Sequence, residues 1–262
     1  MVRGRIFWGL VVLLVGILLL LDNLGYLPGI NIWGLIWPLF LIALGGWILW
    51  NYYSRGSRQV EHIAIPVEGA QQARIRFQHG AGRIDICAGT SQEALIEGDF
   101  GGGVDINNNQ TGDELEIRLK MPGSIFPFDW SPGQTLDWSV RLNREIQLVL
   151  SLETGASESH LDLSDLRVTE LNLKSGASST SVTLPSNAGL TKVDISSGAA
   201  SLKVIVPQGV AARIRSSGGL SNVSVSDRFP KTGSLYQSPD YESATNKADM
   251  DIELGVGSVS IS

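Results

Sequence analysis

Four glycines recur at Gly155, Gly176, Gly198 and Gly219, at spacings of 21, 22 and 21 residues, each inside nearly the same phrase. The phrases are Leu-Glu-Thr-Gly-Ala-Ser from 152, Leu-Lys-Ser-Gly-Ala-Ser from 173, Ile-Ser-Ser-Gly-Ala-Ala from 195 and a looser Ser-Ser-Gly-Gly-Leu-Ser from 216. Self-similarity at a period near 21 residues means that one small supersecondary unit is stacked several times, because a single unit cannot bury its own apolar face. Such a repeat constrains architecture strongly and activity weakly.

The repeats read as strands. Apolar and polar residues alternate with a period of two in Leu171-Asn172-Leu173, Val182-Thr183-Leu184, Val193-Asp194-Ile195, Val204-Ile205-Val206 and Val223-Ser224-Val225. In the first three repeats apolar residues fall six and eight positions after the glycine: Leu161 and Leu163, Val182 and Leu184, Val204 and Val206. A strand, a glycine turn, a second strand and a proline or asparagine turn make about one coil of a parallel β-solenoid, in which Gly155, Gly176, Gly198 and Gly219 are structural turns. The same grammar recurs more weakly around Gly80-Ala81-Gly82 and at Gly255-Val256-Gly257, so 59–262 is expected to form one mainly β domain. Two irregular stretches, Met121 to Trp138 and Arg228 to Asn246, are expected to cap the solenoid, whose ends must be covered against edge pairing.

The first 58 residues are different in kind. Ile6 to Leu21 and Trp33 to Trp50 carry no charged side chain, and as helices they measure about 24 and 27 Å, just under a hydrocarbon core of about 30 Å. They predict a transmembrane helical hairpin in 1–58, with spans over about 6–22 and 33–50. Aromatic residues cluster where the interfaces would lie: Phe7, Trp8, Trp47, Trp50, Tyr52 and Tyr53 at one end, Tyr26, Trp33 and Trp37 at the other. Antiparallel helices centred at one depth place Gly9 opposite Gly46, a candidate helix-packing contact. Arg3, Arg5, Arg55 and Arg58 flank the outer ends and no basic residue lies between the spans, so both termini are expected in the cytoplasm of a multi-pass inner-membrane protein. With four arginines against Asp22, this region is net +3, which leaves 16 basic against 25 acidic residues in the rest. That acidic domain is a poor partner for nucleic acid.

These motifs resemble known bacterial families. Phe7-Trp8-Gly9, Leu21-Asp22-Asn23-Leu24-Gly25, Ile36-Trp37-Pro38-Leu39 and Gly45-Gly46 are similar to the two-helix unit of LiaI- and LiaF-type membrane proteins. Trp138-Ser139-Val140-Arg141-Leu142, Leu161-Asp162-Leu163-Ser164, the Gly-Ala-Ser corners, Tyr236-Gln237-Ser238-Pro239-Asp240-Tyr241 and Gly255-Val256-Gly257-Ser258-Val259 resemble the toast-rack, adhesin-like β domain often attached to such hairpins. The resemblance implies a non-enzymatic, membrane-anchored scaffold for protein interaction that regulates cell-envelope stress signalling through a sensor kinase or another membrane protein. The alternative is a tethered, outward-facing adhesin or cell-wall-binding module. Stacking between copies through an exposed solenoid edge is a third route to partners.

Chemistry-bearing motifs are sparse. His62, His79 and His160 are scattered and read as ordinary surface or turn histidines, with His160 pointing outward; no metal site is expected. Asp99-Phe100-Gly101 stands without the other kinase motifs, and Gly101-Gly102-Gly103 lacks the lysine and helix of a phosphate cradle. The single Cys87 is expected to be a buried structural thiol. No catalytic residue and no cofactor are expected. The candidate interaction residues are Phe126, Phe128, Trp130 and Trp138, because aromatics on a proline-rich loop make good anchors unless they plug the core.

Overall fold

The structure, a computed structural model, describes residues 37–38, 40–42, 44–46, 60–122 and 136–262, with backbone alone at 220 and 221. The chain divides into two units, Met1–Ser57 and Arg58–Ser262. In the first, the described residues between 37 and 46 are helical, Trp37, Leu41 and Ile42 are exposed, and the Trp37 and Phe40 rings stack at 5.8 Å. Among the described residues no helix is long and apolar enough to cross a membrane. The first expected span and most of the second lie outside them.

The second unit is one sheet of thirteen strands: β1 (Glu61–Pro66), β2 (Gln72–Ala88), β3 (Ala94–Phe100), β4 (Asp105–Thr111), β5 (Glu114–Lys120), β6 (Trp138–Leu142), β7 (Gln147–Asp162), β8 (Arg167–Thr183), β9 (Leu190–Ile205), β10 (Ala211–Val225), β11 (Lys231–Thr232), β12 (Leu235–Gln237) and β13 (Lys247–Ile261). Six of them are long and run parallel in the spatial order β2-β7-β8-β9-β13-β10.

Chain length shows that each long strand is folded in two. A straight strand of 16 residues would span about 50 Å, yet β7 ends at Asp162 and β8 begins at Arg167, paired with Gln147, the first residue of β7. Five residues reach at most about 18 Å. The strand must therefore double back at its middle, where the glycine sits. The side-chain pattern agrees: Leu148, Leu150 and Leu152 are buried before Gly155, whereas Ser159 and Leu161 are buried after it, so the inward parity switches from even to odd across the corner. The parity also switches in β2, there from odd to even, from Ile75 and Phe77 to Ile84 and Ile86, and in β13 from even to odd, from Ile252 and Leu254 to Val259 and Ile261.

Each rung is thus a flattened loop with two facing halves around one core. Stacking rungs in register builds aliphatic columns, such as Ile117, Ile75, Leu150, Leu171, Val193, Met250 and Ile214, all buried. Burial of one such side chain contributes about 1.5–3 kcal/mol. Between rungs the return is short; after β7, Asp162 Oδ1 accepts from the Ser164 amide at 3.2 Å and hydroxyl at 2.7 Å.

Two features differ from the expected coil. Ladder pairing resumes on both sides of the glycine corner, so each half-rung pair belongs to one bent strand. Rung order also departs from chain order: β13 inserts between β9 and β10, with Val193 paired to Met250 and Met250 to Ile214. The chain skips a rung after β9 and fills it last.

The ends of the stack are finished differently. At the β2 end, the first half pairs with β5 and then β4, and the second half with β6, β3 and β1. At the β10 end, β12 pairs with Arg213 to Arg215 and β11 pairs with β12. Arg213 lies over the Tyr241 ring at 4.1 Å and bonds Glu242, and the Arg228 guanidinium donates to the Val206, Pro207 and Val210 carbonyls. These contacts fix the segment after β10 onto the first half of β10 and onto the return that precedes it.

Candidate interaction surfaces

The repeated glycines form one continuous ladder. A Cβ on Gly155 would lie 2.5 Å from the Gly80 carbonyl oxygen, one on Gly176 2.9 Å from that of Gly155, one on Gly198 2.9 Å from that of Gly176, one on Gly255 2.6 Å from that of Gly198, and one on Gly219 3.1 Å from that of Gly255. None of these five needs a left-handed backbone. Glycine is required because the carbonyl of the preceding rung occupies the Cβ position. Inside the corner a polar column follows: His79, Thr154, Ser175 and Ser197 lie on successive rungs, and the Ser175 hydroxyl donates to that of Ser197 at 2.7 Å.

Trp138 opens β6 and is completely buried, so it belongs to the core and offers no surface to a partner. Its indole Nε1 donates to the Gly101 carbonyl at 3.3 Å, and its ring meets Phe100 edge-on at 5.1 Å and His79 at 4.9 Å. Phe126, Phe128 and Trp130 lie outside the described residues, as does Gly9. Gly46 is helical, and a Cβ built there meets nothing within 4 Å.

His79 and Cys87 correct the sequence reading. His79 is buried, since Ala73, Ile75, Phe77 and His79 share the inward parity of β2. Its Nε2 donates to the Leu136 carbonyl at 2.8 Å, Nδ1 has no partner among the described residues, and burial lowers its pKa below the ordinary value, opposed by the Leu136 bond and by Asp137. Cys87 is exposed because Ile84 and Ile86 take the inward positions. Both placements follow from the alternation on either side of the glycine corner: His79 extends Ile75 and Phe77, and Cys87 adjoins the inward Ile86. His160 points outward, and His62 Nδ1 lies 2.8 Å from Asp99 Oδ1 at the surface. Among the described residues, no group of three or more His, Cys, Asp or Glu is placed to hold a metal ion.

Beside His79, Gln78, Lys120, Met121, Glu153 and Lys174 line a groove of about 660 Å³ on the outer side of the first half-rungs. Gln78 donates to Glu153 at 2.8 Å across two rungs. Two ammonium groups, one carboxylate and the Met121 and Pro122 side chains make a floor of mixed charge and polarity. Main-chain entry to the segment 123–135 lies at its rim.

Comparison with known proteins places these features in context. A family model described as the N-terminal domain of toast_rack, DUF2154, matches residues 54–205, and one described as the LiaF transmembrane domain matches residues 7–69. Among solved structures, a candidate cell adhesion protein from Clostridium sporogenes ATCC 15579 superposes with a TM-score of 0.70 at 23% identity, covering 78% of this chain and 98% of that one. At that identity the likeness shows the fold. No curated protein matches the chain. The match over more than half of the chain, on a bent-strand stack preceded by an apolar segment of LiaF type, establishes that this is a membrane-anchored member of the toast_rack family, DUF2154.

Proposed function

We infer that the protein is a non-enzymatic membrane-anchored scaffold whose β domain binds another protein and regulates cell-envelope stress signalling. The observation that carries this reading is the joining of a LiaF-type transmembrane region to a rigid stack with a mixed-charge groove. In this proposal 1–58 forms a two-span hairpin, with Gly9 against Gly46 and both termini cytoplasmic. Phe126, Phe128 and Trp130, which follow Pro122 of the groove in the sequence, supply the aromatic contacts. The partner is a membrane sensor kinase or another membrane protein. Co-purification from crosslinked membranes tests it: enrichment of a membrane protein over a control carrying residues 1–58 alone is expected, and equal recovery from both overturns the regulatory reading.

A second reading has its own support. The likeness to a candidate cell adhesion protein favours an outward-facing adhesin or cell-wall-binding module tethered by its N-terminal region. Reporters fused after Ser262 separate the two. Signal only from a cytoplasm-active reporter supports the scaffold, and signal only from a periplasm-active one supports the adhesin.

A further inference from the structure

Among the described residues, three of the four half-rung ends of the stack are extended by further strands and the fourth is not. β12 covers β10 only as far as Arg215, and among the described residues nothing pairs with the far side of its second half. The Ser226 amide donates to the Ile261 carbonyl at 2.9 Å, so the even residues of this half turn their backbone groups toward β13. Val223 and Val225 therefore turn theirs to the open side. Their side chains face inward and pack on the core but are only partly buried, whereas Val259 and Ile261, their counterparts one rung in, are 1% and 2% exposed.

Edges of this kind are normally blunted with charge or proline. The other outermost strands follow that rule: β1 carries Glu61 and Pro66, β4 carries Asp105 and β11 carries Lys231. Residues 216–225 carry neither.

We propose that this edge is the seat of a second copy of the chain, paired antiparallel through the second halves of two β10 strands. The register that matches the free backbone groups sets Val223 opposite Val225 of the other copy, and Val225 opposite Val223. Both pairs exchange two N–H···O bonds, and both lie on the inward face, where they complete the aliphatic column of the last rung. Ser224 then meets its own copy on the outer face. An uncharged strand brings no like charges together when paired with itself, and a two-fold contact uses up both edges and closes at a dimer. Addition to β1 of another copy, by contrast, would bring a neutral edge against Glu61 and Pro66 and would propagate without closure.

The test uses the full chain in detergent micelles or nanodiscs. In a Cys87→Ser background, Ser224→Cys should form a disulfide-linked dimer under mild oxidation, since a non-hydrogen-bonded antiparallel pair brings Cα atoms to about 4.5 Å, within disulfide range. Ser260→Cys, on the adjacent covered rung, should stay monomeric under the same conditions. Val225→Pro removes an N–H that only the partner would use, so it should abolish the Ser224→Cys dimer while the β-rich circular dichroism spectrum persists. Equal crosslinking at Ser224→Cys and Ser260→Cys, absence of crosslinking from a folded protein, or a Ser224→Cys/His62→Cys product extending to higher oligomers would each overturn the proposal.

Discussion

The two ends of the stack are built from the same rung and finished in different ways. At the β2 end both half-rungs are extended by further strands, and the buried Trp138 ring packs there against Phe100 and His79. At the β10 end the first half is covered by β12 and the second half stops at partly buried valines. A solenoid end needs bulk to replace the missing rung. One end obtains it from its own chain, and the other is left as a neutral strand with free backbone groups.

Glycine substitutions should break this comparison most sharply. Gly155→Val places a Cβ 2.5 Å from the Gly80 carbonyl oxygen and pushes two rungs apart at the closed end; overpacking against backbone should cost about 3 kcal/mol or more, read as a lowered denaturation midpoint or failure to fold. Gly219→Ala meets the Gly255 carbonyl at 3.1 Å, on the last rung, where the chain can give. It should cost about 1 kcal/mol or less. Equal losses at the two positions would mean that the open end is as constrained as the closed one.

Trp138→Ala probes the closed end alone. Removing a fully buried indole with its bond to Gly101 should destabilise by about 3–5 kcal/mol, measured by chemical denaturation. Loss below about 1 kcal/mol would show that the aromatic cluster does not plug that end.

His79 makes the same end sensitive to pH. Its folded pKa lies below the unfolded value of 6.5, so the neutral ring is favoured by folding. That contribution is fully present above pH 6.5, declines as pH falls below it, and is lost once pH has passed through the lowered folded value. The denaturation midpoint of the native chain should therefore drop between pH 7.5 and 5.5, and the drop should shrink in His79→Gln. An unchanged slope in the variant would remove His79 from the account. The smallest effect is expected from Arg83→Ala: the guanidinium pairs with Glu158 at 3.0 Å in open solvent, where screening leaves little net stabilisation. Thermal melting should not move measurably.

Much of this organisation was legible in local residues. Alternation marks the strands, and the 21-residue glycine spacing marks the corners, because both reflect short-range geometry that repeats with the chain. In β2 the alternation on either side of the glycine corner also buries His79, in step with Ile75 and Phe77, and exposes Cys87, next to the inward Ile86. The candidate anchors divided: Trp138 follows the inward parity of Val140 and Leu142 and is core, whereas Phe126, Phe128 and Trp130 lie in a stretch without a period.

What the sequence determined by itself is therefore the rung: its length, its inward residues and the glycine at its bend. Only the tertiary structure decided the order of the rungs. Each long strand presents nearly the same aliphatic columns and the same corner, so β13 fits against β9 as well as β10 would. No local pattern distinguishes the two arrangements. The choice rests on long-range closure, in which β12 and the Arg213–Tyr241 contact hold β10 outermost while the last strand fills the space beneath it.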